Sequence, residues 1–404
     1  MDNPFARFAG TRTIQANLSL LEENYVPDSF PHRENQINEM VTILSSIMRG
    51  SRPSNIIVYG KTGTGKTSTT KYVTKMLVEA ASNVSVVYVN CEIYDSPYSI
   101  LVAIANSAGE EKIPELGWPI DRIYRETVER VEKTGKFFII ILDEMDRLIK
   151  KNGGDSLYVL LKLMTDVDSV RVSMIGITND TTVLENIDAR IKSRLNQESI
   201  VFPPYNASEI RDIISSRLDK VLGPGVVDDT AINLCAAIGA QEHGDARKAI
   251  DLMRIAIEIA IRENRNKITE NEIYEARERY EMNVLREAIS TLPLHSKIVL
   301  LSAVVTQEIE PNSVITGEIY ENYRRICDDL GFSPLSPRRI SDLLTELADY
   351  GLLVMDDRNM GKYGRTRSFS VVHQAETIKK YLLEDENLSM FKSSKMPKQT
   401  RFDT

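Results

Sequence analysis

Eight consecutive residues, Gly60-Lys61-Thr62-Gly63-Thr64-Gly65-Lys66-Thr67, satisfy the phosphate-binding pattern G-x-x-x-x-G-K-[ST] in full. The glycines let successive backbone N–H groups turn toward phosphate oxygens, and a helix starting at the end of the loop adds positive potential. Lys66 then reaches the β- and γ-phosphates, and the Thr67 hydroxyl binds Mg2+. With glycine at roughly 7% of residues, chance yields this pattern in about one in a hundred chains of this length. A second element agrees. The apolar run Phe138 to Leu142 leads directly into Asp143-Glu144. A carboxylate at a strand's C-terminal edge can hold Mg2+, and the next can orient or deprotonate an attacking water. These roles fall to Asp143 and Glu144. A third run, Ile175-Gly176-Ile177-Thr178-Asn179, brings Asn179 to the same edge, to position the water or touch the γ-phosphate. Thr-Asn-Asp is equally good turn chemistry. Together the residue types describe binding and hydrolysis of a nucleoside triphosphate with Mg2+.

Such groups must be carried on a sheet edge, and the surrounding pattern supplies one. Short β-rich runs at Ile56 to Tyr59, Val84 to Asn90, Phe137 to Leu142, Val170 to Ile177 and Ser199 to Phe202 alternate with helical stretches. Runs without polar alternation, separated by helices, predict a parallel sheet covered on both faces. Pro203-Pro204 closes that region. From Ala207 to about Asn283 the period is helical, with Ile210, Ile213, Ile214 and Leu218 on one face and Ile250, Met253, Ile257 and Ile261 on another. The last third reads as helices over Pro293 to Thr306, Thr316 to Leu330 and Ser336 to Tyr350, then extended runs at Leu352 to Met355 and Thr366 to Val372. Three helices followed by a β-hairpin is the order of a winged helix. The tail after Glu384, with Lys392, Lys395, Lys398 and Arg401, is expected to be loose.

Composition narrows the class. A chain of 404 residues holds two or three domains of ordinary size. Its 50 basic and 58 acidic side chains give a formal charge of -8, which argues against nonspecific nucleic-acid contacts over the whole surface and leaves room for a local basic patch. Cys91, Cys235 and Cys327 stand far apart and fit neither a disulfide framework nor a Cys-rich zinc site. No apolar run approaches the roughly 20 residues of a membrane span, and Met1-Asp2-Asn3-Pro4 opens no secretory signal. The expected location is cytoplasmic and nucleoid-associated, with no membrane partner.

At this point the chain resembles the AAA+ ATPases, and among them the archaeal origin-recognition and cell-division-cycle type replication initiators. The resemblance is carried by Pro31-His32-Arg33-Glu34, Leu142-Asp143-Glu144-Met145-Asp146, Ile200-Val201-Phe202-Pro203-Pro204-Tyr205, Glu242 to Ala249 and Thr291-Leu292-Pro293-Leu294-His295-Ser296-Lys297. It covers about Arg33 to Val372. It implies an α/β AAA+ core with a parallel sheet over 1–205, an all-helical lid over 206–283 and a C-terminal winged-helix domain with tail over 284–404. It implies that Arg247 is the lid arginine sensing the γ-phosphate, and that Tyr205 and Arg217 contact nucleotide from the base of the lid. Arg194, in Ile191-Lys192-Ser193-Arg194-Leu195, resembles an arginine presented to a neighbour's ATP, with Arg190 as the alternative. The stretch Ile93 to Ile120 resembles a helical insertion that touches DNA in these initiators. It offers only Lys112, with Arg122 and Arg125 beyond, so a structural or partner-binding insertion stands beside that reading.

The winged helix supplies the DNA-facing candidates. Ser336-Pro337 opens a helix as N-cap and first residue, with Arg338 and Arg339 at its start, where a recognition helix meets base edges or phosphates. The ten residues Arg358 to Arg367 hold four basic side chains and no acid; Lys362, Tyr363 and Arg365 are expected nearest the tip, with Arg367 following. A basic tip suits a minor groove or flanking phosphates. The leading expectation is an ATP-regulated initiator, a weak ATPase used as a switch, which binds duplex origin DNA and helps recruit or load the replicative helicase alongside related initiator subunits. A regulatory paralogue is included in that expectation. A branch-migration type motor and a non-DNA regulatory scaffold are the alternatives.

Overall fold

The computed structural model describes residues 14, 16–22, 25–114, 116–180, 182–183, 185, 187–195, 197–223, 225–309, 314–359 and 365–392, the side chains of 357–359, 365, 366 and 392 excepted. Two compact units emerge, Met1–Ala276 and Arg277–Thr404.

The first unit runs α1 (Glu34–Leu44), β1 (Asn55–Gly60), α2 (Lys66–Ala80), β2 (Val84–Asn90), α3 (Pro97–Ala108), α4 (Ile120–Lys133), β3 (Phe137–Asp143), α5 (Met145–Asn152), α6 (Asp155–Asp166), β4 (Val172–Thr178), α7 (Ala189–Leu195) and β5 (Gln197–Phe202). The strands form one parallel sheet in the order β2-β3-β4-β1-β5. The absence of polar alternation has a direct cause: both faces are covered. Ile56, Val58, Ile139 and Ile141 pack with Met40 and Leu44 of α1 on one side. Ile57, Phe138, Ile140 and Leu142 pack with Ile100 and Ile104 of α3 and Leu148 of α5 on the other. Gly176 pairs with Ile57 on one side and Leu142 on the other, so β1, β3 and β4 end together at one edge. A Cβ at Gly176 would stand 2.7 Å from the Met145 sulfur, so its absence lets α5 seat closely on the sheet.

The unit continues with α8 (Ala207–Val221), α9 (Asp229–Gln241), α10 (Ala246–Arg262) and the start of α11 (Glu270–Thr291). The expected stripes are largely buried: Ile210, Ile213, Ile214 and Leu218 on one face, and Ile250, Met253 and Ile257 on the other, while Ile261 at the end of α10 is half-buried. Asn206 fixes the entry by a reciprocal cap, accepting the Glu209 N–H at 3.0 Å while its own N–H donates to the Glu209 carboxylate at 2.9 Å. Helix α11 is continuous through residues 283 and 284.

The second unit holds the rest of α11, then α12 (Leu294–Ile309), β6 (Val314–Ile315), α13 (Thr316–Leu330), α14 (Pro337–Asp349), β7 (Leu353–Asn359), β8 (Arg365–Val371) and α15 (Ala375–Leu382). Its sheet is antiparallel, β6-β8-β7. Three features correct the sequence reading. β6 has two residues, too few for a periodic signal, yet it completes the wing sheet through Val314 opposite Phe369. The hairpin strands extend further into the basic segment than the extended runs predict, so Arg358 and Arg365 join Arg367 on paired strands. The chain after Glu384 is packed as far as Phe391: Leu388 and Phe391 are buried in the unit's core and Asp385 pairs with Lys297 at 2.8 Å. Lys395, Lys398 and Arg401 lie outside the described residues. Among the described residues no helix is long and apolar enough to cross a membrane.

Candidate functional site

The loop from Gly60 to Gly65 wraps the Lys66 amine, which starts α2 and is 5% exposed. Lys66 Nζ donates to Gly60 O at 2.8 Å, Lys61 O at 2.7 Å and Asn179 Oδ1 at 2.7 Å. The third of these bonds joins the end of β4 to the loop after β1. Burial and the neighbouring Arg247 hold the Lys66 ammonium below the usual lysine value, at about 8. Thr67 Oγ1 donates to Asp143 Oδ2 at 2.9 Å, setting two hard oxygen ligands side by side at the end of β3, a donor set that suits Mg2+. Tyr88 on β2 donates to the same carboxylate oxygen at 2.6 Å, and burial with that carboxylate pushes its phenol above the ordinary value. Lys61 and Thr62 are exposed at the loop's outer turn, while Thr64 is buried and ties its hydroxyl to Lys61 O at 2.8 Å.

Glu144 follows with φ of 55°, a left-handed conformation that costs an L residue about 1–2 kcal/mol. Its N–H is held by Asp143 Oδ1 at 3.0 Å. The carboxylate accepts Arg147 Nε at 3.0 Å, and Arg147 also reaches Glu92 at 2.9 Å.

The lid meets the loop directly. Ala246 N–H donates to Gly63 O at 3.3 Å, and a Cβ on Gly63, whose φ is +73°, would fall 1.8 Å from Asp245 Oδ1. Only glycine permits both the turn and that approach. Asp245 caps α10 through the Arg247 N–H at 2.8 Å. Arg247, Tyr205 and Arg217 line one cavity of about 90 Å3 with Gly63, Gly65, Thr67 and the apolar side chains of Leu21, Phe30 and Ile250. Burial pushes the Tyr205 phenol up to about 12. Arg217 donates to Leu20 O at 3.3 Å and lies 5.5 Å from the Tyr25 ring centroid. Arg194 sits elsewhere, exposed on α7 with its guanidinium 5.7 Å from the Tyr158 ring. Arg190 is 90% exposed and paired with Asp188.

Residue pattern alone assigns Arg33 no task, and the structure gives it one. It is 1% exposed and donates to Thr64 O at 3.0 Å, His32 O at 3.0 Å and Pro203 O at 2.6 Å, with its guanidinium 3.7 Å over the Tyr205 ring. One cation thus fastens the phosphate loop to the base of the lid. Tyr88 and Arg147 likewise carry no signal in the sequence that marks them as part of the site, and Asp146 stands in the Leu142 to Asp146 run with no role assigned to it. In the connection between α3 and α4, Trp118 lies under the guanidinium of Arg122 from the first turn of α4, 3.6 Å from the ring centroid, and Leu116 is almost fully exposed.

In the second unit the Ser336 side chain caps α14 through the Arg339 N–H at 3.4 Å. Arg338 and Arg339 are exposed, and Arg339 reaches Glu346 at 3.3 Å. Arg367 donates to Thr345 Oγ1 of α14 at 3.3 Å, so wing strand and helix are joined. Arg365 lies on β8, its side chain outside the described residues, as are Lys362 and Tyr363 entirely. Arg324 and Arg325 on α13 are exposed cations that sequence pattern does not single out.

The sequence matches the family models described as AAA domain over residues 48–184, Cdc6 AAA+ ATPase-type lid domain over 211–278, and CDC6 C-terminal winged helix domain over 287–381. An ORC1-type DNA replication protein from Thermoplasma volcanium is 84% identical over 404 residues, covering 100% of both chains. The chain belongs to the ORC1-type DNA replication proteins. The Picrophilus torridus member is 55% identical, across 100% of this chain and 99% of that one. The structure of the Aeropyrum pernix ORC1 protein in complex with DNA has 37% identity and a TM-score of 0.84, covering 94% of this chain and 99% of that chain. As an ORC1-type protein the chain carries a AAA+ core with a parallel sheet, a helical lid and a C-terminal winged helix, the fold class that the resemblance implies.

Proposed function

We propose that this ORC1-type protein is an ATP-regulated replication initiator that binds duplex origin DNA at the nucleoid through its winged helix and helps recruit or load the replicative helicase with related initiator subunits. The observation that carries the nucleotide half is the meeting of three strand ends with the lid: Lys66, Asp143 and Asn179 converge where Ala246 and Asp245 touch Gly63. In this reading Gly60 to Gly65 present backbone N–H groups to phosphate, and Lys66 exchanges its two loop carbonyls for phosphate oxygens. Thr67 and Asp143 hold Mg2+, which when bound supplies charge neutralisation at the phosphates. Glu144 orients or deprotonates water once it leaves Arg147, while Asn179 and Arg247 answer to the γ-phosphate. Tyr205 and Arg217 line the nucleotide cavity. Closing the lid moves Asp245 against the loop, so nucleotide state sets the lid angle. Arg194 serves a neighbouring subunit's site, and the working divisions are core 1–205, lid 206–283 and winged helix 284–404.

For DNA, support comes from exposed Arg338, Arg339 and Arg367, and from the Aeropyrum pernix relative seen in complex with DNA. Lys362, Tyr363 and Arg365 are proposed to extend that surface. The test is selection from a pool of the source genome's own duplex fragments at physiological salt, with ATP and with ADP. The expected result is a few discrete sites whose affinity or footprint changes with nucleotide. Uniform salt-sensitive binding, or none, overturns the proposal.

A further inference from the structure

Helix α5 begins directly after the Asp143-Glu144 pair, and its first turn faces the end of β4. Asp146, 7% exposed, accepts the Thr178 hydroxyl at 3.1 Å and the Asn179 backbone N–H at 3.4 Å, both on Oδ1. The Thr178 hydroxyl has one proton and two acceptors in reach, Asp146 Oδ1 and Asp180 O at 3.2 Å. The carboxylate oxygen is the stronger acceptor. The same hydroxyl oxygen accepts the Asp180 N–H at 3.0 Å. One turn along α5, Lys150 pairs with Asp180 at 2.9 Å and lies 3.8 Å from Asp146. Thr178, Asn179 and Asp180 are therefore fastened to α5 from both sides of Asn179, whose side chain meets Lys66 at 2.7 Å.

A carboxylate withdrawn from water in this way costs stability unless its bonds repay it. A buried apolar residue would pack α5 against β4 without that cost. What it could not do is fix the direction of the peptide carrying Asn179. We infer that Asp146 is a positioning residue for γ-phosphate recognition: it aims Asn179 at the Lys66 end of the loop and makes α5 the strut between the Asp143-Glu144 edge and the Asn179 edge. This inference rests on the reading of the site as an ATP site.

The measurement is the affinity of the full chain for ATP and for ADP, in wild type, Asp146→Ala, Asp146→Asn and Thr178→Val. The expected wild-type result is a preference for ATP over ADP. Asp146→Ala lowers the ATP-over-ADP preference about tenfold with ADP affinity within about twofold of wild type, the size of one charge-assisted hydrogen bond. Asn keeps an amide oxygen for both donors, so Asp146→Asn recovers at least half the preference. Thr178→Val loses about threefold, and it carries the test alone if Asp146→Ala does not fold. A preference unchanged in Asp146→Ala and Thr178→Val overturns the inference, as does an equal loss of ADP and ATP affinity, which marks a merely structural role. A wild-type chain that binds ADP but does not distinguish ATP from it overturns the inference alone, whereas one that binds neither overturns the ATP-site reading beneath it.

Discussion

Arg33→Ala is the perturbation with the most specific consequence. The wild-type guanidinium satisfies Thr64 O, His32 O and Pro203 O and covers the Tyr205 ring, all at 1% exposure. Truncation leaves three main-chain acceptors in a site with little access to water. Taking about 1 kcal/mol for each acceptor and about 1 for the missing cation–π interaction, the loss is about 4 kcal/mol. For a unit of this size, 1 kcal/mol moves a melting transition by roughly 3 °C, so the first unit's transition should fall by roughly 10 °C in calorimetry of the full chain. ATP affinity should fall with it, because Thr64 O is the loop's own anchor. Arg33→Lys keeps the charge, but a point ammonium lacks the planar fork that serves three directions, and less than half of the stability should return. A melting shift in Arg33→Ala of less than about a third of that size would refute the argument that this cation fastens loop to lid.

Three more outcomes follow from geometry. Gly63→Ala puts a methyl 1.8 Å from Asp245 Oδ1 at a φ of +73°, so nucleotide affinity should drop at least about tenfold; adding Asp245→Ala should restore part of the lost melting temperature but not the strain of the turn, and no recovery would discount the clash. Lys66, at about 8 in the folded chain against 10.5 unfolded, carries a penalty below pH 8 that is relieved as pH rises from 8 toward 10.5. Phosphate beside it favours the charged form, so ATP affinity should weaken between about pH 7 and 9, and titration calorimetry in two buffers at about pH 8 should show uptake of about half a proton; zero uptake contradicts the assignment. Replacing Arg338, Arg339 and Arg367 together by Ala should reduce the salt slope of DNA binding by about 0.9 for each phosphate no longer neutralised, and an unchanged slope removes them from the interface.

Much of this is readable from the sequence because the relevant signals are local. The loop from Gly60 to Thr67 is contiguous, β3 is an unbroken apolar run, and α14 announces its start with Ser336-Pro337. What stays hidden is non-local. Arg33 works on carbonyls 31 and 170 residues away, and main-chain acceptors leave no trace in residue identity. Asp146 looks like one more acid in an acidic motif, its partners being the Thr178 hydroxyl at the end of β4 and the Asn179 peptide N–H just beyond it. The wing is misjudged at its edges because Asp356 to Asn359 and Arg365 read as polar loop, while their pairing across the hairpin makes them strand. The segment after Glu384 reads as loose because two apolar residues, Leu388 and Phe391, are too few for a periodic pattern yet enough to fill a gap in a small core.

Trp118 is the chain's one tryptophan, and its indole is stacked beneath the Arg122 guanidinium. Excitation near the red edge of aromatic absorption therefore interrogates a single locus in 404 residues, without any label. An emission shift or quench on adding duplex DNA would place the insertion between α3 and α4 on the DNA-facing side. Emission indifferent to DNA but altered by a protein partner would hand that segment to assembly instead. The chain carries its own optical probe at the place where its sequence leaves two readings open.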